Sequence, residues 1–321
     1  MSNNFFISID WGTSSLRIRL VASPSLLIKE EIFSPSGIKK VYNEWLIAGG
    51  DREVFFINTL RFLIDEFKTK IDPSWPIVIS GMASSSIGIR ELPYANLPFQ
   101  VNGKLLYSES IESAVLPNKI YLLSGAKSNS DVMRGEETQI VGLMEKEDLF
   151  KKTLFILPGT HSKHILTDNG MVTGINTFIT GELFEVISQH SILKESLADG
   201  KFGENELVAF KEGVTKSKED VSILHSLFSI RTNTLFQKKS LTENYYFLSG
   251  LLIGEELKSL LPCNNQSLQL AATGTLFELY FIAFEVLGLL PITKIVEKDI
   301  LDAAVIKGQS IILNNLIIET K

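Results

Sequence analysis

Short apolar runs and alternating stretches open the chain. Phe5–Ile9 is apolar apart from Ser8, and Leu16, Ile18 and Leu20 then alternate with Arg17 and Arg19. The first run reads as a buried strand, and the second as a strand with one apolar and one basic face. The same criteria place strands at Leu26–Phe33, Ile77–Ser80, Ile120–Leu123, Leu154–Leu157 and His164–Thr167. They place others at Met171–Asn176, Leu268–Ala272 and Ile292–Val296. Apolar recurrence at three and four residues predicts helices over Arg52–Lys70, Glu136–Glu145, Gly181–His190, Asn244–Leu261, Thr275–Leu287 and Ile300–Leu313. Three strands followed by alternating helices and strands indicate mixed α/β layers.

Between the first two strands lies Asp10-Trp-Gly-Thr-Ser-Ser15. As a plain hairpin it calls for Gly12 at positive φ, with Asp10 and Thr13 stabilising the turn. The segment from Leu154, LFILPGTHSKHILTDNGMV, repeats the plan: apolar run, Gly-Thr, a hydroxyl two residues on, then two further strands. Setting Gly12 on Gly159 puts Thr13 on Thr160 and Ser15 on Ser162, while Asp10 falls on Leu157. Two such hairpins, one per half, predict two related domains facing each other. The Gly/Ser/Asn stretch Ser124–Ser130 is the expected boundary, giving domains 1–125 and 126–321.

The pairing has a chemical reading. Backbone N–H groups of a tight Gly-Thr-Ser turn, with nearby hydroxyls, make an anion-binding concavity. Two of them across a cleft could hold a polyphosphate from both sides. The single carboxylate, Asp10, suits a hydrated Mg²⁺, which takes one or two carboxylates plus phosphate oxygens. Neither G-x-x-x-x-G-K-[ST] nor G-x-G-x-x-G occurs in the chain.

Composition narrows the classes. Apolar residues at 45% and charged residues at 21% of 321 argue for a globular chain with a real core. A net charge of −6 without a basic cluster argues against nucleic acid as a partner. The single cysteine, Cys263, excludes internal disulfides and Cys-based zinc sites, which fits a reducing cytoplasm. The stretch Leu276–Ile292 is interrupted by Glu278 and Glu285, so it reads as a buried helix and no membrane partner is expected.

DWGTSSLR (Asp10–Arg17), PGTHSK (Pro158–Lys163) and ATGTLFELYFIA (Ala272–Ala283) resemble the first phosphate, second phosphate and adenosine motifs of the ATPase superfamily of sugar kinases, heat-shock chaperones and actin. The blocks GMASS from Gly81, ELPY from Glu91, DVMRGEETQ from Asp131, LPGTHSK from Leu157, TGELF from Thr180 and HSIL from His190 are similar, in order, to the 2-dehydro-3-deoxygalactonokinase family. One departure is Gly88-Ile89, where that family usually has Gly-Trp. The resemblance implies two ribonuclease-H-like domains of α/β class facing across a nucleotide cleft. It also implies ATP and Mg²⁺, and phosphorylation of a 2-keto-3-deoxy sugar acid at its terminal hydroxyl. A homodimer is compatible with it.

The same resemblance distributes roles. Gly12, Thr13, Ser14, Ser15 and Arg17, together with Gly159, Thr160, His161, Ser162, Lys163, Gly274 and Thr275, are the expected nucleotide and phosphate residues. Gly81, Met82, Ala83, Arg134 and Glu182 are expected on the substrate side, with Asp10 as metal ligand. A phosphorylated hydroxyl needs a carboxylate within reach of its proton. Glu136, which follows Gly135 at a helix start, is the first candidate, and Asp131 the next. Glu136 and Glu137 could equally be residues that oppose a helix dipole. Arg17 and Arg134 could be ion-paired, and Arg134 could instead hold a substrate carboxylate bidentately. His161 and His164 do not share a face, which argues against a metal pair. An exopolyphosphatase-like hydrolase and an actin-like filament or nucleotide-dependent regulator are the competing readings.

Overall fold

The computed structural model describes residues 4–261 and 267–319, and Cys263 lies outside the described residues. The opening pattern forms a meander in which β1 (Phe5–Trp11) pairs antiparallel with β2 (Leu16–Ala22), and β2 with β3 (Ile28–Ser34). Helices α1 (Ile38–Ala48) and α2 (Arg52–Ile64) lead to β4 (Ile77–Gly81), which lies parallel to β1. The short strands β5 (Ala95–Asn96) and β6 (Phe99–Gln100) follow, then β7 (Ser108–Ile111) and β8 (Ile120–Leu123). The hairpin of β9 (Ala126–Lys127) and β10 (Val132–Met133) leads into α3 (Glu136–Leu143).

The second hairpin is β11 (Thr153–Leu157), β12 (Ser162–Asp168) and β13 (Met171–Phe178). After it come α4 (Thr180–His190), α5 (Glu204–Ser217), α6 (Ile223–Leu235) and α7 (Leu241–Leu257). The chain closes with β14 (Ser267–Leu270), α8 (Gly274–Leu287), β15 (Thr293–Ile295) and α9 (Lys298–Glu319).

Two compact units result. The first holds the chain through Phe150, Thr167–Ile175 and everything from Asp299 onward, and the second holds Lys151–Leu166 and Asn176–Lys298. Ser124–Ser130 therefore lies inside the first unit, and α9 returns to that unit. The first sheet runs β3-β2-β1-β4-β8-β7. The second sheet runs β6-β13-β12-β11-β14-β15. In both sheets the three hairpin strands stand in the order third, second, first, and the first is followed by a parallel strand, β4 or β14, the ribonuclease-H-like arrangement expected from the repeated hairpins.

Burial explains why these segments fold as they do. Ile7, Ile9 and Trp11 of the central strand are fully buried among Ile38 and Val41 of α1 and Phe56, Ile57, Leu60 and Ile64 of α2. By length and composition α9 could cross a membrane. It instead packs into the first unit. Gln309 Nε2 donates to the Ile9 carbonyl at 2.8 Å and to Ser80 Oγ at 2.9 Å. Gly308 meets α3 so closely that a Cβ there would lie 1.9 Å from the Thr138 carbonyl oxygen. Only glycine permits that backbone contact, which seats α3 and the residues at its start.

Candidate active site

Asp10 stands at the carboxyl end of the central strand β1, in register with Arg17 on β2 and Ser80 on β4. Burial pushes its carboxyl pKa up, and the charges of Arg19 and Arg17 partly oppose that rise. Among the described residues none donates a hydrogen bond to the carboxylate. A desolvated carboxylate lacking donors fits a hard divalent cation, which would supply the missing positive charge through an oxygen ligand.

The following turn is held from below. Gly12 N–H donates to the Ser15 carbonyl at 2.9 Å, and Ile38 and Lys39 at the start of α1 donate to the Gly12 and Thr13 carbonyls at 3.0 and 3.2 Å. Gly12 is not among the residues at positive φ, which corrects the hairpin expectation. The α1 terminus, and not a left-handed glycine, shapes this turn. Thr13 and Ser14 are exposed, and among the described residues their N–H groups donate to no backbone carbonyl. They remain open to an anion. Ser15 is half-buried. Arg17 Nε lies 3.5 Å from the Glu31 carboxylate, which Arg19 also grips at 2.7 Å, so Arg17 is ion-paired.

At the adjacent strand end, Gly81 has φ +90° and a Cβ there would lie 2.7 Å from the Trp11 carbonyl oxygen. The chain then turns through Met82, which is half-buried, and Ala83, whose methyl group belongs to the core. Ile89, the family's departure, is also a core residue. The β9–β10 hairpin delivers Arg134 onto this turn. Its guanidinium donates to Ser84 Oγ at 2.6 Å and to the Ser84 carbonyl, and lies 4.1 Å over the Tyr94 ring. Arg134 Nε is buried with no hydrogen-bond partner.

Gly135 approaches Gly81 within van der Waals contact, which places the start of α3 beside the ends of β1 and β4. The two neighbouring glutamates differ sharply there. Glu136 is half-buried, and its Oε2 accepts the Arg134 N–H at 2.9 Å. Glu137 is fully buried and accepts the Gly135 N–H at 2.8 Å. Burial first, and the Glu136 charge second, push its carboxyl up to about 7 from 4.5. Asp131 orders the preceding turn, its Oδ1 accepting the Val132 N–H at 2.7 Å.

A pH dependence of stability follows from Glu137. A carboxyl raised on folding favours the protonated native state, so this group's contribution is present below about pH 4.5 and is lost as pH climbs to about 7. Glu137→Gln mimics the protonated form. It is expected to match the wild type in unfolding free energy near pH 5 and to exceed it by roughly 1–3 kcal/mol above pH 8. Urea unfolding at both pH values checks this, and equal stability at pH 8 would refute the ionisation of a buried Glu137.

In the second unit the Gly159–His161 turn abuts the start of α4. Gly181 lies against the Gly159 and Thr160 backbone, and Glu182 N–H donates to the Thr160 carbonyl at 3.0 Å. Thr160 and His161 are exposed, and His161 Nε2 pairs with Glu182 Oε2 at 2.6 Å. Glu182 thus packs on the Gly159–His161 turn. Ser162 and Lys163 are buried: Ser162 Oγ donates to Glu256 at 2.7 Å, and Lys163 Nζ donates to Thr177 Oγ1 at 2.6 Å. His164 is buried against Glu256, so the two histidines hold different partners and form no metal pair. Gly274, at φ +61°, opens α8 with free space where a Cβ would stand.

Beside that turn lies a cavity of about 400 Å³, lined by Gly159, Gly181 and Thr275 and walled by Phe184, Tyr245, Leu252, Ile253 and Leu276. Asp199, Ser249, Thr180 and Tyr280 add polar groups. Flat apolar walls, a few polar groups and the amino-terminal ends of α4 and α8 suit a nucleobase with an anionic tail. Sequence reasoning located the glycines and Thr275 but missed Phe184, Tyr245, Glu256 and Tyr280. A signal existed for Glu256: it is a carboxylate within the apolar second half of α7, following Leu251–Gly254 and preceding Leu257.

Comparison with known proteins agrees with this arrangement. The 2-keto-3-deoxy-galactonokinase family model matches residues 10–308. The 2-dehydro-3-deoxygalactonokinase of Escherichia coli strain K12 is 29% identical over 287 residues, covering 88% of this chain and 90% of that one. A Rhizobium meliloti strain 1021 protein assigned the same activity is 28% identical over 293 residues, with 89% and 90% covered. A crystal structure of a protein from Sinorhizobium meliloti, assigned as a 2-dehydro-3-deoxygalactonokinase, superposes with a TM-score of 0.79 at 28% identity over 96% of each chain. A match along almost the whole chain, including the Asp10 turn, the Arg134–Glu137 segment and the Gly159 turn, shows that the chain belongs to the 2-keto-3-deoxy-galactonokinase family.

Proposed function

We propose that this sugar-acid kinase transfers the γ-phosphoryl group of ATP to the terminal 6-hydroxyl of 2-dehydro-3-deoxy-D-galactonate, in the cytoplasm. The observation that carries the reading is the Arg134–Glu136 pairing beside Gly81. A guanidinium stacked on Tyr94, with its Nε unpartnered, stands next to a half-buried carboxylate. The cation suits a substrate carboxylate, and the carboxylate suits the proton of the attacking hydroxyl.

In this reading the second unit holds the nucleotide, with adenine against the wall that Phe184 and Tyr245 form by their edge-to-face contact and the phosphates at the Gly159–His161 turn. In the first unit the open N–H groups of Thr13 and Ser14 suit phosphoryl oxygens. Asp10 would hold Mg²⁺, which supplies charge neutralisation on the phosphates when bound. Glu136 accepts the 6-hydroxyl proton as that oxygen bonds to the γ-phosphorus and the bond to the ADP oxygen breaks.

An ATP-dependent phosphorylation screen tests the reading. Turnover is expected with 2-keto-3-deoxy sugar acids and not with neutral sugars of the same size. Equal turnover on neutral sugars would overturn the acid assignment. Phosphate release from polyphosphate without an acceptor would favour a hydrolase.

A further inference from the structure

The carboxylate of Glu256 has no part in the scheme above, yet four side chains converge on it. It sits near the end of α7, 2% exposed. Oε1 accepts from Ser162 Oγ at 2.7 Å and is 2.9 Å from His164 Nε2, and both donors lie on β12. Oε2 accepts from Tyr280 OH at 2.7 Å and from Thr180 Oγ1. Burying a carboxylate costs several kcal/mol unless donors satisfy it. Here burial pushes the acid up, but His164, Thr180 and Ser162 outweigh it and hold the carboxyl below its ordinary range.

The donors lie on β12, α4 and α8; α4 and α8 line the cavity, as does α7, which carries Glu256, and β12 continues from the Gly159 turn that borders it. Ser162 follows the Gly159–His161 turn directly. Thr180 is the first residue of α4, whose next residue, Gly181, lies against that turn. Tyr280 is on α8 and lines the cavity together with Thr180. We propose that Glu256 is a positioning residue of the nucleotide site, which holds the second phosphate turn and the starts of α4 and α8 in one frame so that their N–H groups converge on the ligand's phosphates. The inference rests on the reading of this cavity as the nucleotide pocket.

Two physical points favour this over passive core filling. An apolar side chain would pack a helix end more cheaply, because replacing buried ionic groups by apolar ones is often neutral or stabilising. Moreover, each donor is near a pocket-forming residue, so a loosened network displaces phosphate-binding N–H groups before it displaces the base walls. Glu256→Gln is nearly isosteric, and the three hydroxyls can rotate to accept from its amide. Charge-assisted hydrogen bonds are thereby exchanged for weaker neutral ones.

The test is calorimetric titration of the full chain with ADP and with adenosine. Wild type should bind ADP more tightly than adenosine. E256Q should lose at least about tenfold of ADP affinity, the equivalent of one charge-assisted bond, and much less of adenosine affinity. H164Q, which changes a partner of Glu256 outside the cavity, should shift the same ratio in the same direction and carries the test if E256Q is recovered unfolded. F210L, a core change in the same unit, should lower the unfolding midpoint without moving the ratio. A folded E256Q or H164Q that keeps the wild-type ratio would overturn the inference alone. Wild type that binds neither ligand would remove the nucleotide reading, and this inference with it.

Discussion

Asp10→Asn is expected to lower turnover by at least about 10²-fold, in a protein that unfolds no more easily than the wild type. The two halves of that expectation have one cause. Burial disfavours the Asp10 carboxylate, and among the described residues no donor offsets it, so the charge is unfavourable to the fold in isolation. Asparagine removes the charge at the same volume. What is lost is the anionic oxygen that a hydrated Mg²⁺ would use, and with it the neutralisation of charge on the transferring group. Turnover measured across a range of Mg²⁺ concentrations, together with urea unfolding, gives both quantities. Near-normal turnover in a folded variant at low Mg²⁺ would remove the metal role from Asp10.

Glu136→Gln is the second large effect, with turnover expected to fall by about 10²–10⁴-fold while ADP affinity stays unchanged. A base acts on the acceptor, so its removal should leave nucleotide binding alone. The structure sharpens the choice among three carboxylates. Glu137 is fully buried and both its oxygens face the Gly135 N–H, which suits it to seating Gly135 and not to reaching a substrate. Asp131 spends one oxygen on its own turn. Glu136 stands half-buried at the first turn of α3, next to Arg134 and to the start of the Gly81 turn. If Asp131→Asn shows the turnover loss and Glu136→Gln does not, the base lies one turn earlier in the chain.

Much of this was legible in the amino-acid order, and the reason is local. The alternation Leu16-Arg17-Ile18-Arg19-Leu20 states its own period, and it forms β2 with Leu16, Ile18 and Leu20 buried. The repeated Gly-Thr turns announce two hairpins of one kind, and in both sheets the hairpin strands run third, second, first beside a parallel strand. α8 and α9 appear nearly where apolar recurrence placed them. Helices α1, α5 and α6 were not expected. In α1 the apolar residues Ile38, Val41, Tyr42 and Trp45 recur at helical spacing and pack on the first unit's core, so that helix did carry a periodic signal. The helix expected to reach Lys70 ends at Ile64, with the Asp65 N–H donating back to the Arg61 carbonyl at 2.9 Å.

By itself the sequence determined the class of fold, the two Gly-Thr turns, the lone carboxylate beside one of them and the family, because each depends on residues close together in the chain. Only the tertiary structure decided what those residues touch. Ser162 and Lys163 resemble phosphate ligands by their place in a motif, yet they are buried on Glu256 and Thr177, residues far along the chain or on the next strand. Glu182 resembles a substrate residue, yet it pairs with His161 across 21 positions. Glu136 and Glu137 are neighbours of the same type, and only packing separates a half-buried carboxylate from one raised to about 7. The same holds for α9, which returns to the first unit because Gly308 and Gln309 meet α3 and β1 there. Desolvation and long-range hydrogen bonding depend on what surrounds a side chain in three dimensions, and a local pattern of residue types does not record that.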